Sequence, residues 1–155
     1  MIQLKPTKDS SLIARLNEPV HTLHHQLFPD VFKPYEFEAV HSALEKMLAQ
    51  ENAFAFVAYN VDQPVGYILC FVKEREENAF AYASRSIYID QIAVDRNQRQ
   101  KGIGEQLVSR VFELAKERNI HLVQLDHWTR NTGARAFFKK QGFCYYNERM
   151  EKIIE

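Results

Sequence analysis

The chain has 155 residues, 46% hydrophobic and 12% aromatic, enough for one well-filled core and short for two domains, so a single domain over residues 1–155 is expected. Twenty Lys and Arg balance twenty Asp and Glu, which leaves no global positive field to hold nucleic acid or an anionic membrane surface. Two cysteines, Cys70 and Cys144, do not make a disulfide framework, and neither a signal-peptide core nor an apolar run near the roughly 20 residues of a membrane span is found, so a soluble, cytoplasmic protein with reduced thiols is expected.

Ile2 to Lys5 reads as a short strand, followed by N-cap candidates Asp9, Ser10 and Ser11 and a helix carrying Leu12, Ile13 and Leu16. Asn17 and Pro19 are expected to interrupt it. Val20, Leu23 and Leu27 then recur at helical spacing, Pro29 and Pro34 bracket a loop, and Phe37, Val40, Leu44, Met47 and Leu48 mark a second amphipathic helix. From Ala53 the pattern changes. Ala53 to Tyr59 and Val65 to Lys73 are rich in aromatic and β-branched residues and flank a turn containing Asp62 and Pro64, which predicts a hairpin. After the polar interval Lys73 to Asn78 come a strand over Ser86 to Val94 and a helix burying Leu107, Val108, Val111, Leu114 and Ala115. A strand over His121 to Trp128, a helix from about Asn131 to Lys140, and two last strands at Phe143 to Tyr146 and Met150 to Ile154 complete the reading. This order describes an α/β domain around one mixed sheet of seven strands with about four helices. An exposed sheet edge is compatible with a homodimer.

Between Val94 and the following helix lies DRNQRQKGIGEQL, a polar turn with glycines two apart. Glycines let backbone approach closely, successive N–H groups can point into one concavity, and the positive end of the helix dipole adds attraction for an anion. Arg99 and Lys101 bring full charges. A Walker loop would need Gly-Lys-Ser/Thr, but Glu105 and Gln106 follow Gly104, and a dinucleotide fingerprint would need a third glycine where Leu107 stands. Arg99-Gln100-Lys101-Gly102-Ile103-Gly104 instead resembles the Arg/Gln-x-x-Gly-x-Gly/Ala signature of the GNAT superfamily of acetyl-CoA-dependent N-acetyltransferases. Downstream, Asn131, Ala134, Phe137, Gly142 and Phe143 resemble that family's Asn-x-x-Ala-x-x-Phe-Tyr-x-x-x-Gly-Phe. The match runs from Ser86 to Tyr146, and reaches the N-terminal helices and hairpin by element order only.

The resemblance implies a single GNAT-like domain whose mixed, mostly antiparallel sheet splays open at the acetyl-CoA site. Ile92, Ala93 and Val94 would pair with the pantetheine arm, the amides of Gln100, Lys101, Gly102, Ile103 and Gly104 would take the pyrophosphate beside Arg99, and Asn131 would bond the pantetheine. Phe138 stands in the cofactor region, where relatives carry the tyrosine proposed to protonate the departing thiolate, and cannot fill that role. The implied reaction is direct attack of a primary amine on the thioester through a tetrahedral intermediate, with an N–H near Ile92 or Ala93 stabilising the oxyanion if the strand bulges there. Asp90 is the best placed general base, and Tyr88, two residues earlier on the same strand face, can contact the acceptor or relay a proton. Alternatives stay open: Asp90 as a strand-bonding or ammonium-binding carboxylate, Tyr88 as a packed aromatic, and the whole chain as a noncatalytic acyl-CoA-binding or regulatory module.

Four further groups draw a functional reading. His21 and His25 have i, i+4 geometry but no third ligand, so no metal is expected, while His24 can line an acceptor pocket. Tyr145 or Tyr146 can stand in for the missing acid. Glu74, Glu76 and Glu77 beside Phe80 and Tyr82 make a loop suited to a cationic acceptor, read as a small amine or a chain terminus.

Overall fold

A computed structural model describes residues 1–155. Strand β1 (Ile2–Pro6) is followed by helices α1 (Ser10–Leu27) and α2 (Phe37–Leu48), then by β2 (Ala53–Asn60), β3 (Gln63–Arg75) and β4 (Ser84–Val94). A 3-10 turn (Arg96–Gln98), α3 (Ile103–Glu117), β5 (Val123–Leu125) and α4 (Thr132–Lys140) complete the chain. The five strands lie in the order β1-β2-β3-β4-β5. The first four pair antiparallel and β4 pairs β5 parallel, the mixed and mostly antiparallel sheet the sequence predicts.

The sheet has a core on each face. One is built on α3, where Ile103, Leu107, Val108, Val111 and Leu114 meet Ile68, Cys70, Ile87 and Ile89. The other is built on α1 and α2, where Ile13, Ala14, Leu44 and Leu48 meet Val57, Tyr67, Leu69, Phe71 and Ala93. Covering both faces removes the need for alternation, which is why Val65 to Val72 of β3 is an unbroken buried run. Each large apolar side chain withdrawn there contributes about 1.5–3 kcal/mol. Gly66 is demanded by close packing: a Cβ at that position would lie 2.7 Å from the Ala93 carbonyl oxygen on β4.

Three sequence expectations are corrected. First, α1 does not break at Asn17 and Pro19 but runs through both. Proline in a helix interior costs about 3 kcal/mol, and here the helix is anchored on both sides of it. Ile13, Ala14 and Asn17 are buried before it, and beyond it His21 Nε2 and His25 Nδ1 lie 2.8 and 2.7 Å from the carbonyl oxygens of Lys33 and Phe32. Second, β5 is shorter than the expected His121 to Trp128, with only Val123 to Leu125 in the ladder.

Third, the sheet has five strands and not seven, because Phe143 to Tyr146 and Met150 to Ile154 do not form strands. The last backbone hydrogen bond of the chain runs from Phe143 N–H to the Phe138 carbonyl, 3.1 Å, closing α4. Beyond it Tyr145, Tyr146, Met150, Ile153 and Ile154 are all exposed. Strand propensity describes fit to a half-buried pleated surface, and a three-residue β5 offers that stretch little surface to fit.

Candidate active site

The site is set by two irregularities in β4. The first is a register shift. Leu69 pairs with Gln91 and Cys70 with Ile89, so Asp90 is an extra residue with no partner on β3. A bulge reverses the alternation of side chains. Ile87 and Ile89 therefore face the α3 core, while after the bulge Gln91 and Ala93 turn to the α1 and α2 face and Ile92 and Val94 to the α3 face. Tyr88, Asp90 and Gln91 thus share the face toward α1. The bulge lies at Asp90, two residues before the expected Ile92 or Ala93.

The second irregularity is a fork. β5 pairs with Ile87, Tyr88 and Ile89 alone, so Asp90 to Val94 have no strand on that side. At the apex Tyr88 Oη donates to Asp126 Oδ2 at 2.7 Å. The bond crosses from β4 to the end of β5. Lys73 Nζ sits 4.3 Å above the Tyr88 ring.

The groups at the apex have shifted proton affinities. Loss of water raises the Asp90 carboxyl above its ordinary range, opposed by the neighbouring Gln91 amide and the Lys73 charge. Burial pushes the Tyr88 hydroxyl up, and the hydrogen bond to Asp126 with the charges of Asp126 and Asp90 pushes it further. Tyr88 is therefore a neutral donor at physiological pH.

Below the fork the chain turns through residues 95–102 into α3. Gln100 and Gly102 take left-handed backbone angles, φ 62° and 74°. Every other helix carries a side-chain cap: Asp9 on α1, Glu36 on α2, Asp95 on the 3-10 turn and Asn131 on α4. The start of α3 carries none. Its leading N–H groups are left for a solvent molecule or an anion, and apart from its own chain neighbours nothing lies within 4 Å of where a Cβ on Gly102 would stand. The open turn and its free amides fit a pyrophosphate. Arg99 and Lys101 are exposed beside it, with Lys101 Nζ donating to Gln98 Oε1 at 2.9 Å. Ile103 is buried, and Gly104 is held first by packing, since a Cβ there would meet the Phe137 ring at 3.1 Å.

Other expected residues have different tasks. Asn131 Oδ1 accepts from Ala134 N–H at 3.1 Å as the cap of α4, which leaves its Nδ2 free to donate. Phe138 is 7% exposed and packs against Phe137 and Phe143 at ring separations of 5.1 and 5.7 Å. Tyr145 Oη is held by Arg135 Nε at 3.0 Å and lies 2.9 Å from His127 Nε2. Trp128 packs on Phe28 and Phe32, and His24 stacks on Phe32. Glu74 is taken by Arg85 at 2.9 Å, and Phe80 and Tyr82 lie open to solvent. No three His, Cys, Asp or Glu side chains are grouped to hold a metal ion, and no helix is long and apolar enough to cross a membrane. Sequence reasoning missed Asp126, Lys73 and Gln91. Only Gln91, as the neighbour of Asp90, carried any signal.

The family model described as the acetyltransferase (GNAT) family matches residues 17–143. An uncharacterised N-acetyltransferase of Methanocaldococcus jannaschii is 33% identical over 100 residues, which is 63% of this chain and 41% of that protein; the chain thus spans less than half the length of that relative. A Bacillus halodurans protein solved as a tetramutant has a TM-score of 0.90 at 21% identity, over 99% of both chains. A predicted acetyltransferase from Clostridium acetobutylicum, solved with acetyl-CoA, has a TM-score of 0.72 at 22% identity, over 99% of this chain and 96% of that one. With the forked sheet, the open α3 terminus and a family match over most of its length, the chain belongs to the GNAT family of acetyltransferases.

Proposed function

We propose that the protein transfers an acetyl group from acetyl-CoA to a primary amine on a small molecule or a chain terminus, with Asp90 as the proton acceptor. The observation that carries this reading is the apex of the fork, where Tyr88 and Asp90, two apart and so on one face of β4, stand as β5 leaves off and Asp90 bulges free of a partner on β3. The cosubstrate supplies the thioester. Ile92, Ala93 and Val94, free of a strand partner on the β5 side, offer backbone groups to its pantetheine arm, and the uncapped amides at Gly102 to Gly104 offer hydrogen bonds to its pyrophosphate.

An acceptor amine approaching from the α1 face attacks the acetyl carbonyl and passes its proton to Asp90, directly or through one water. The raised proton affinity of Asp90 makes it a better base than a carboxylate of ordinary proton affinity. Tyr88, held neutral and bonded to Asp126, orients the amine. CoA leaves as a thiolate of pKa about 8.5, so the lack of a hydroxyl on Phe138 costs no more than the roughly 10²- to 10⁴-fold that general acid catalysis supplies. An amine that arrives as ammonium pairs with the carboxylates of Asp90 and Asp126 and releases one proton to solvent, and the neutral amine then attacks.

Melting the protein with acetyl-CoA and with ATP tests the cofactor. At about 100 times the Kd, binding to the native state adds about 2.7 kcal/mol, or roughly 5–11 °C in Tm for a domain of this size. Acetyl-CoA is expected to give that shift and ATP none. Thiol release with a panel of amines then separates a transferase from a noncatalytic acyl-CoA-binding module: release rising with amine concentration is expected, and binding without release for every amine would favour the module.

A further inference from the structure

A chain of three uncharged polar side chains runs from α1 to the bulge. Asn17 Nδ2 donates to Tyr67 Oη at 2.8 Å, and Tyr67 Oη donates to Gln91 Oε1 at 2.7 Å. Tyr67 is 0% exposed and Asn17 7% exposed, inside a cluster otherwise made of Ile13, Ala14, Leu69, Ala93 and similar residues. Stability gives little reason for them. Replacing both partners of a buried hydrogen bond by apolar groups of the same shape is near neutral or stabilising, and Phe at 67 with Leu at 17 would keep the shapes. What a satisfied buried network supplies is a single geometry, and no buried polar side-chain atom here lacks a partner.

We propose that Asn17, Tyr67 and Gln91 are positioning residues that fix the direction of the Asp90 carboxylate at the bulge; in its functional meaning this rests on the reading of Asp90 as proton acceptor. As an unpaired bulge residue, Asp90 receives no guidance from the β3 ladder. The Tyr67 hydroxyl has one proton. With Asn17 donating to the oxygen, that proton goes to Gln91 Oε1, which fixes the amide plane of Gln91 and turns its Nε2 away from Tyr67. Asp90 precedes Gln91 on the same face, so the free amide donor is offered to its carboxylate. The charged and titratable groups facing Asp90 are Lys73 and Tyr67 from β3, Tyr88 on its own strand, and Asp126 from the end of β5 through Tyr88; α1 contributes the neutral Asn17. The lowering of the Asp90 proton affinity by Gln91 agrees with a donor aimed at the carboxylate.

The test is a carbon-13 NMR titration of the Asp90 carboxyl in the wild-type protein, in Tyr67→Phe and in Gln91→Leu, each first shown to be folded by its melting curve. Freeing or removing the Gln91 amide is expected to move the Asp90 titration to higher pH. In the transfer assay both variants are expected to lose about tenfold or more in kcat, as misplaced groups do, with the KM for acetyl-CoA unchanged. A merely structural role would lower Tm and leave the titration where it was, and that outcome in folded variants overturns the proposal. If Tyr67→Phe fails to fold, Gln91→Leu carries the test, because Gln91 is only half-buried. Asp90→Asn with undiminished kcat would remove Asp90 as base while leaving the titration result standing, so the two failures are told apart.

Discussion

Replacing Gly66 by alanine adds one methyl group on β3 directly against the backbone of β4. The new Cβ would stand 2.7 Å from the Ala93 carbonyl oxygen and 3.3 Å from Val94 Cα. Ordinary contact begins at 3.4 Å, so backbone must move by about 0.7 Å. Neither neighbour is a flexible side chain. Overpacking of this kind costs about 1–3 kcal/mol, and at 2–4 °C per kcal/mol for a chain of this size Tm is expected to fall by roughly 2–12 °C. The displaced residues, Ala93 and Val94, are those proposed to receive the pantetheine, so the acetyl-CoA Kd, measured by calorimetry on the folded variant, is expected to rise as well. Gly133→Ala is the control. Its Cβ would find only Asn131 Oδ1, at 3.9 Å, within a helix, and stability is expected to rise by about 0.4–1 kcal/mol, the gain of alanine over glycine there, with Tm rising accordingly. A Gly66→Ala protein that melts within a degree of wild type would refute the packing argument.

Three further outcomes are expected. Gly102→Val forces a β-branched residue to φ 74°, costs about 1–2 kcal/mol of stability and weakens acetyl-CoA binding by more than tenfold through crowding of the anion turn, both measurable by melting and calorimetry. As base, Asp90 must be ionised, so kcat/KM is expected to fall as pH drops through its raised pKa; Asp90→Asn removes that acidic limb, and Lys73→Met, which takes away an opposing positive charge, moves it to higher pH. Burial, aided by His21, holds His24 below its ordinary 6.5. The unfolded chain therefore takes up that proton first, and stability is expected to fall as pH drops below about 6.5 and to level off below the folded value; in His24→Phe the loss of Tm between pH 7.5 and 5 shrinks.

The cofactor half of the proposed site could be read from the sequence because its determinants are local. A turn of six residues carries its glycines and charges in one stretch from Arg99 to Gly104, and Asn131 announces α4 as its cap. The proposed acceptor half could not, because its determinants are distant in sequence. Asn17 meets Tyr67 across fifty positions, and Tyr88 meets Asp126 across thirty-eight. Tyr67 stands in the run VGYILCFV, where nothing separates a hydroxyl with a task from an aromatic that fills space. Pro19 and the two last strands misled for the same physical reason. Local preference was read where tertiary anchoring decides, in favour of the helix at Pro19 and against strands after Phe143.

Strand order equal to chain order has a kinetic consequence. A sheet whose spatial neighbours are sequence neighbours can zip outward from one nucleus, and here the two-residue connection between β2 and β3 makes that hairpin the contact with least loop entropy to overcome. β4 adds next to β3. β1 must wait for α1 and α2, and β5 for the crossover through α3, before either can pair. The fork is therefore among the last parts of the molecule to close and, resting on three ladder positions, among the first to open. Amides at Val123 to Leu125 will exchange with solvent hydrogen well before those of β3, and the acyl end of the site will breathe on a timescale set by β5 while the rest of the sheet stays shut.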